Sequence, residues 1–483
     1  MHTDEAINAY ITGQLLAGGT YHYDPRDRHG PALYAMALPL ARMAGARNLA
    51  GLTATMVRMG PILTGTLAVF LFVALVADLS LPVAFLAALL WAVAPLPVYY
   101  SRYFIHETLF VAATLGLLSC GWRWLNTGSA LAATMAGFWA ALMIACKETA
   151  VLSFAAAAVA VGWWLFRRRA RRGNVQPRLL SVSNGFEQSA ARLRSEKIVV
   201  PRLLRWLGIG LGLLVAMALV VFFYSWGGRN WSGLADLIRS GPRFLARAGG
   251  EGHEKPWPYY LLLLAGGWSG WALLLLAAVG AFAALKDGAS SVLSFWLVYG
   301  LAITAIYSVI PYKTPWLALN LFLPLAVLAA AGAVTLWGLA HELNQPPGTR
   351  PVLLAAAAGV LLLLGHDTWL RVFHEPADER NPYAYAHTGE DMSRLPERLA
   401  KIVGPHTTIA VVSADPWPLP WYLRKFPRVG YWQPGQNPAR ADLYLTSPEA
   451  ASTLANRLVR WRWEYFGVRP GVLLILWTPP ANH

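Results

Sequence analysis

Two adjacent carboxylates, Asp4 and Glu5, open a polar stretch that continues through Tyr21-His22-Tyr23-Asp24-Pro25 to His29-Gly30-Pro31. Neighbouring acids repel each other, which raises one pKa and suits a general base that takes a proton from a hydroxyl. The plainer account of the pair is two solvated loop acids. Further along, Tyr99–Glu107 holds Arg102, whose guanidinium is able to grip a phosphate through two parallel hydrogen bonds. Glu107 suits a sugar hydroxyl, a metal ion shared with Asp4, or an ion pair with Arg102. Lys147-Glu148 is either a salt-bridged hairpin tip or a cation aimed at a lipid phosphate. His253-Glu254-Lys255 and Tyr312-Lys313-Thr314 again set cations among aromatic residues. An interfacial aromatic belt produces such a mixture on its own. Several cations near paired carboxylates nevertheless suit an anionic lipid headgroup better than chance snorkelling does.

The elements that position these residues are mostly apolar helices. The 483 residues are 56% hydrophobic and 13% charged, with a mean hydropathy of +0.42. Soluble domains carry about 25% charged residues, so the composition is that of a polytopic membrane protein. The formal charge of +15 points to basic cytoplasmic loops rather than to nucleic acid. Cys120 and Cys146 lie in apolar runs and make no disulfide framework, and Met1 opens no signal peptide. Runs near the ~20 residues a spanning helix needs lie at 53–77, 81–98, 107–125, 131–146, 148–166, 206–225, 258–285, 291–310, 316–339 and 351–366. That predicts about ten spans. The 131–166 stretch is too long for one helix across a ~30 Å core and would bury Lys147 and Glu148 at its centre. Two short spans with those residues at the tip remove both problems.

The basic segment from Arg167 to Arg205 belongs on the cytoplasmic side, with a mobile middle between Asn174 and Ser195. Alternation then puts the N-terminal segment, Tyr99–His106, Lys147-Glu148, Ser225–Trp257, Pro311–Pro315 and the C-terminal tail on the outer side. This arrangement carries the first fifty residues across the membrane with no span ahead of them. It points to a further apolar helix upstream of Met1, with a re-entrant or translocated tail as the alternative. The central spans hold no run of buried Asp, Glu or His suited to a proton-coupled pump, nor an evident inverted repeat.

From residue 367 the composition becomes that of a soluble module, which divides the chain into a membrane domain, 1–366, and an extracytoplasmic α/β domain, 367–483. Gly389–Val403 reads as an amphipathic helix, Thr407–Ser413, Asp442–Thr446 and Val472–Trp477 as strands, and Glu449–Leu458 as a helix. The module has no Gly-rich phosphate loop or metal-spaced Cys/His cluster. Its aromatic loop Asp415–Tyr422 suits sugar stacking or packing against the membrane domain.

An Asp-Glu pair followed by His-Gly-Pro before an apolar helix resembles the C-type glycosyltransferases that use polyprenyl-phosphate sugars. The likeness is nearest to family 39, the protein O-mannosyltransferase and aminoarabinose-transferase group. Tyr100-Ser101-Arg102 with Glu107, Cys146-Lys147-Glu148-Thr149, Tyr312-Lys313-Thr314-Pro315-Trp316 and Pro418–Arg424 are similar to a prokaryotic subfamily labelled flippase-activity-associated. The resemblance implies a membrane enzyme, without the family's first helix, that moves a mannose-like hexose from a polyprenyl-phosphate donor to an acceptor hydroxyl at the outer membrane face. The acceptor is a protein, a lipid or a glycan. Asp4 then matches the catalytic base, with Glu5 beside it and Glu107 as the second acid. Arg102, Lys147, Lys255 and Lys313 fall where cations meet the donor phosphate, and His29 and His253 join that donor-binding set. No metal is obligatory, although a divalent cation shared by Asp4 and Glu107 is compatible with the pattern. The competing reading is a non-catalytic accessory protein for translocation of lipid-linked sugars, in which Asp4 and Glu5 are dispensable.

Overall fold

The computed structural model of the protein describes residues 1–24, 29–173, 201–250, 252–286, 291–342, 348–436 and 438–480. The basic stretch read as mobile, 174–195, lies outside them. The apolar runs form ten helices: α3 (Ala54–Ala74), α4 (Leu81–Val93), α6 (Glu107–Thr127), α7 (Ala130–Cys146), α8 (Ala150–Gly173), α9 (Arg202–Tyr224), α12 (Gly267–Leu285), α13 (Ser291–Val309), α14 (Leu319–Glu342) and α15 (Thr349–Thr368). Among the described residues eight helices are long and apolar enough to cross a membrane, α4 and α7 being shorter. Two expected spans are interrupted. Pro95 and Pro97 end α4 at the extended Ala94 and start a separate short helix α5 (Pro95–Tyr100). The 258–285 run breaks at Gly266 between α11 (Tyr259–Leu264) and α12.

The 131–166 run is two helices, as its length demands, with Lys147 and Glu148 in the turn between them. Gly128 adopts φ +71° after α6, and the Ser129 side chain caps α7 by accepting from the Ala132 amide. A left-handed glycine followed by a serine cap is a compact way to reverse a helix. Helices α12 and α14 approach at glycine. A Cβ on Gly280 would lie 1.9 Å from the Leu328 carbonyl oxygen, and one on Gly332 1.9 Å from that of Leu276. Small residues at a helix contact are a common way for backbones to close up inside a membrane.

The N-terminal segment differs from the expected loop. It forms helix α1 (Thr3–Leu16) and, after His29-Gly30-Pro31, helix α2 (Ala32–Met43). The start of α1 is a capping box in which the His2 side chain accepts from the Asp4 amide and the Glu5 carboxylate accepts from the His2 amide. A third helix outside the expected spans, α10 (Ser232–Ala248), follows α9.

Helix α15 runs past residue 366 to Thr368 and continues in a π-helical turn, Trp369–His374. The tail module beyond it contains helix α16 (Asp391–Ala400) and a five-stranded sheet of order β2-β1-β3-β5-β4. Strands β1 (Ile409–Val412) and β3 (Leu443–Thr446) pair in parallel, and β2 (Val429–Trp432) joins β1 in parallel. Strands β5 (Val472–Thr478) and β4 (Arg462–Arg469) complete the sheet antiparallel. Strands β2 and β4 were not expected from the sequence, and the expected helix over Glu449–Leu458 is two short ones, Pro448–Thr453 and Ala455–Leu458.

The aromatic loop of the module packs inward. Trp421 is buried with Ala6, Leu33 and Phe104, and the Arg424 guanidinium lies 3.8 Å over its ring while donating to the Leu52 carbonyl at 3.1 Å.

Candidate functional site

Helix geometry separates the two N-terminal acids. Consecutive helical residues point about 100° apart, so Asp4 and Glu5 face different surroundings. Glu5 is fully buried. Its Oε1 and Oε2 each accept from Arg58 at 2.8 Å, Oε1 also from the Phe104 amide at 3.0 Å and Oε2 from the His2 amide at 3.1 Å. Burial opposes the charge, but the Arg58 guanidinium, the N-terminal ammonium and the Phe104 amide hold the carboxyl at about 2. A carboxylate so saturated is a structural anion rather than a base, which corrects its expected catalytic place. The Asp4 side chain is about half exposed, at 47%, and it opens into a cavity.

That cavity has two adjoining hollows sharing Asp4, His29, Arg247, Tyr312 and Trp316. The polar hollow, about 300 Å³, adds Glu107, His253, Asn8 and His106. The smaller one, about 100 Å³, adds Lys147, Glu148 and the apolar Leu152, Phe244 and Ile310. Small-molecule sites commonly begin near ~300 Å³ and mix apolar walls with a few placed polar groups. The arrangement suits a polar headgroup joined to an apolar tail.

The turn after α7 is the hub. Lys147 Nζ donates to Glu107 Oε1 at 2.5 Å, with both side chains buried. Glu148 meets His29 instead, Oε2 to Nδ1 at 3.2 Å, and its other oxygen accepts from the Tyr23 hydroxyl. Burial would raise the Glu148 carboxyl, but His29 and Tyr23 outweigh it and hold it at about 2. Of the two readings of the tip, a Lys147–Glu148 salt bridge gives way to two longer-range pairs, Lys147 with Glu107 and Glu148 with His29. His29 reaches Glu148 because Gly30 lies flat against the end of α7. Its amide donates to the Cys146 carbonyl at 3.0 Å, its carbonyl meets His106 Nε2 at 3.0 Å, and a Cβ would lie 2.2 Å from the Ala145 oxygen. Burial, with His29 and Lys147 nearby, pushes His106 well below the usual histidine range, so its ring is neutral.

Asp4, Glu107, His29, Lys147 and His253 therefore come together. Arg102, Lys255 and Lys313 are not among the residues lining either hollow. Arg102 donates to the Val372 carbonyl at 2.6 Å and stacks on Phe373, fastening the 101–106 loop to the π-helical turn. Lys255 is solvent-exposed, and its amide bonds the Pro311 carbonyl. Lys313 is buried and caps the Ile310 carbonyl. Their expected places on a phosphate do not match these contacts.

Arg247 escaped the sequence reading, although Arg239, Arg243 and Arg247 recur every four residues along α10 and signalled a one-sided helix. Asp4 and Glu107 share the polar hollow, but Lys147 already occupies a Glu107 oxygen. Among the described residues no three His, Cys, Asp or Glu are grouped to hold a metal ion. These donors do not fit a shared cation.

Residues 39–182 match the family model described as dolichyl-phosphate-mannose-protein mannosyltransferase. No curated protein matches the chain by sequence. Among solved structures, ArnT from Cupriavidus metallidurans bound to undecaprenyl phosphate is similar at a TM-score of 0.60 and 14% identity, over 98% of this chain and 93% of that one. Its apo state gives 0.59, again at 14% identity and over the same shares of both chains. The archaeal oligosaccharyltransferase AglB from Archaeoglobus fulgidus, in complex with an inhibitory peptide and a dolichol-phosphate, gives 0.52 at 12% identity, over 96% of this chain and 69% of that one. The fold is that of the C-type glycosyltransferases: a bundle of membrane helices followed by a small sheet-containing module.

Proposed function

We propose that the protein is an inverting glycosyltransferase that moves a mannose-like hexose from a polyprenyl-phosphate donor to an acceptor hydroxyl at the outer face of the membrane. The observation that carries this reading is the paired cavity, in which Asp4 faces a polar hollow continuous with a more apolar one. The donor's sugar would occupy the polar hollow and its first isoprene units the apolar one. Arg247 and His29 border the junction and would steady the phosphate. The family model matched by residues 39–182 and the undecaprenyl phosphate bound to ArnT support a lipid-phosphate donor.

In the reaction, Asp4 takes the proton of the acceptor hydroxyl. The freed oxygen attacks the anomeric carbon as the bond to the phosphate oxygen breaks, and the electron pair leaves with polyprenyl phosphate. Arg247 and His29 offset the charge gathering on the leaving group. One displacement inverts the anomeric centre. Lys147 fixes Glu107 against the sugar rather than standing free as a cation.

The test is transfer of label from a radiolabelled polyprenyl-phosphate hexose by the purified protein in lipid, with the product's anomeric configuration read by NMR. Transfer with inversion supports the reading. Transfer with retention overturns the single displacement, and absence of transfer to any protein, lipid or glycan fraction favours the accessory alternative.

A further inference from the structure

Asp4 is the second residue of α1, and helix ends fray. A loosened first turn would swing its carboxylate away from the hollow, so the aim of the base depends on what holds that turn. The cap is unusual. Its acceptor is Nδ1 of His2, 3.0 Å from the Asp4 amide nitrogen, and the Asp4 carboxylate lies 3.9 Å from the same atom. A short polar side chain such as Ser or Asn would serve that amide as well. The ring carries an extra cost. Burial pushes His2 below the usual histidine range and keeps it neutral, and with Nδ1 accepting, the ring proton sits on Nε2. Nε2 is buried and has no hydrogen-bond partner among the described residues. A buried donor left unpaired calls for a reason beyond capping.

The surroundings of the ring supply one. His387 and Tyr385, from the linker that enters the tail module, lie 5.2 and 6.4 Å from it between centroids, and Trp316 meets it edge-on at 5.5 Å. His2 and His387 also pair through their backbones in an antiparallel bridge. The His387 ring is itself fixed, with Nδ1 accepting from the Tyr385 amide at 2.9 Å and Nε2 3.3 Å from the Tyr99 hydroxyl. Next along α1, Thr3 Oγ1 accepts at 3.2 Å from Arg469, the last residue of β4. The linker also reaches the opposite wall of the cavity. The Tyr385 hydroxyl meets His253 Nδ1, and its ring meets Trp316 edge-on at 5.6 Å. Both His253 and Trp316 line the polar hollow.

We propose that His2 is a positioning residue through which the linker and the tail module aim Asp4 at the sugar, so that the module sets turnover rather than affinity for the lipid phosphate. This rests on the reading of Asp4 as the base. The linker joins the helix that carries the base to the wall that would hold the sugar, and so fixes the distance between them. A misplacement of about 1 Å, even one made far from the chemistry, lowers a rate about a hundredfold.

The experiment measures label transfer from a polyprenyl-phosphate hexose, equilibrium binding of undecaprenyl phosphate and the thermal midpoint, all with the full chain in lipid. His2→Asn keeps a cap for α1 but removes the ring that touches the linker. His387→Ala cuts the same contact from the other side and lies outside both hollows. Each should lower kcat about tenfold or more and leave undecaprenyl phosphate affinity within about twofold. The double variant should fall no further than the worse single one, and neither change should reduce the residual turnover of Asp4→Asn, because both act through that carboxylate. Wild-type turnover in His2→Asn overturns the proposal, since capping would then be the whole role of the ring. A parallel loss of undecaprenyl phosphate affinity overturns it too, as does a further loss in the Asp4→Asn background. Should His2→Asn fail to fold, His387→Ala alone and combined with Asp4→Asn decides by the same criteria. If Asp4→Asn itself turns over like wild type, the base reading fails and takes this inference with it. If Asp4→Asn is inactive while His2→Asn and His387→Ala are not, only the present inference falls.

Discussion

At the scale of the residue, the decisive fact is that two acids adjacent in sequence have opposite duties. Glu5, fully buried, and the partly exposed Arg58 form an ion pair tying α1 to α3. Removing one partner of such a pair leaves an unanswered charge and costs about 3–5 kcal/mol. Arg58→Ala should therefore lower the thermal midpoint of the purified protein markedly, whereas Asp4→Asn should leave it nearly unchanged. The Glu5 carboxyl also sets a pH dependence. Held at about 2 against a reference of 4.5, it contributes stability that is complete above pH ~4.5 and lost as pH falls toward ~2. Hydrogen exchange of α1 should accelerate through that window, and Glu5→Gln should abolish the dependence. The sequence displayed both acids plainly but not their separation. The helix start that separates them is capped by His2, outside the usual Ser, Thr, Asp and Asn set.

At the scale of the element, the cavity depends on two features of different legibility. The α7–α8 turn could be inferred, because helix length and the cost of buried charge left no other place for Lys147 and Glu148. Their partners could not, since Glu107 and His29 are distant in sequence and share no periodicity with them. Helix α10 was visible in principle from its four-residue arginine spacing, yet the surrounding loop of Gly and Trp masked it. Arg247→Ala should weaken donor binding about 10- to 100-fold, the range expected for losing a charge-assisted hydrogen bond, and a titration with polyprenyl phosphate measures it. Gly30→Ala pushes a methyl into the Ala145 carbonyl. It should displace His29 and lower both thermal stability and donor affinity, whereas Gly45→Ala, where nothing lies within 4 Å although φ is +88°, strains only its own backbone.

At the scale of the whole molecule, segments spread along the chain converge on one end of the helix bundle, where the tail module closes over the N-terminal helices. Hydropathy showed the bundle well, because membrane spans are the strongest periodic signal a chain carries. The four-residue strand β2 and the edge strand β4 were too weakly patterned to read. If the cavity faces outward, Ser452→Cys in the tail should react with an impermeant thiol reagent in intact cells. Lys286→Cys, at the opposite end of α12, should react only after lysis. Whether Asp4 is the base of a sugar transfer is decided by comparing Asp4→Asn with wild type for label transfer from a polyprenyl-phosphate hexose while donor binding is measured in parallel. Turnover should fall by about a hundredfold or more with donor affinity kept. Turnover within about twofold of wild type would contradict it and leave Asp4 a bystander in the cavity wall.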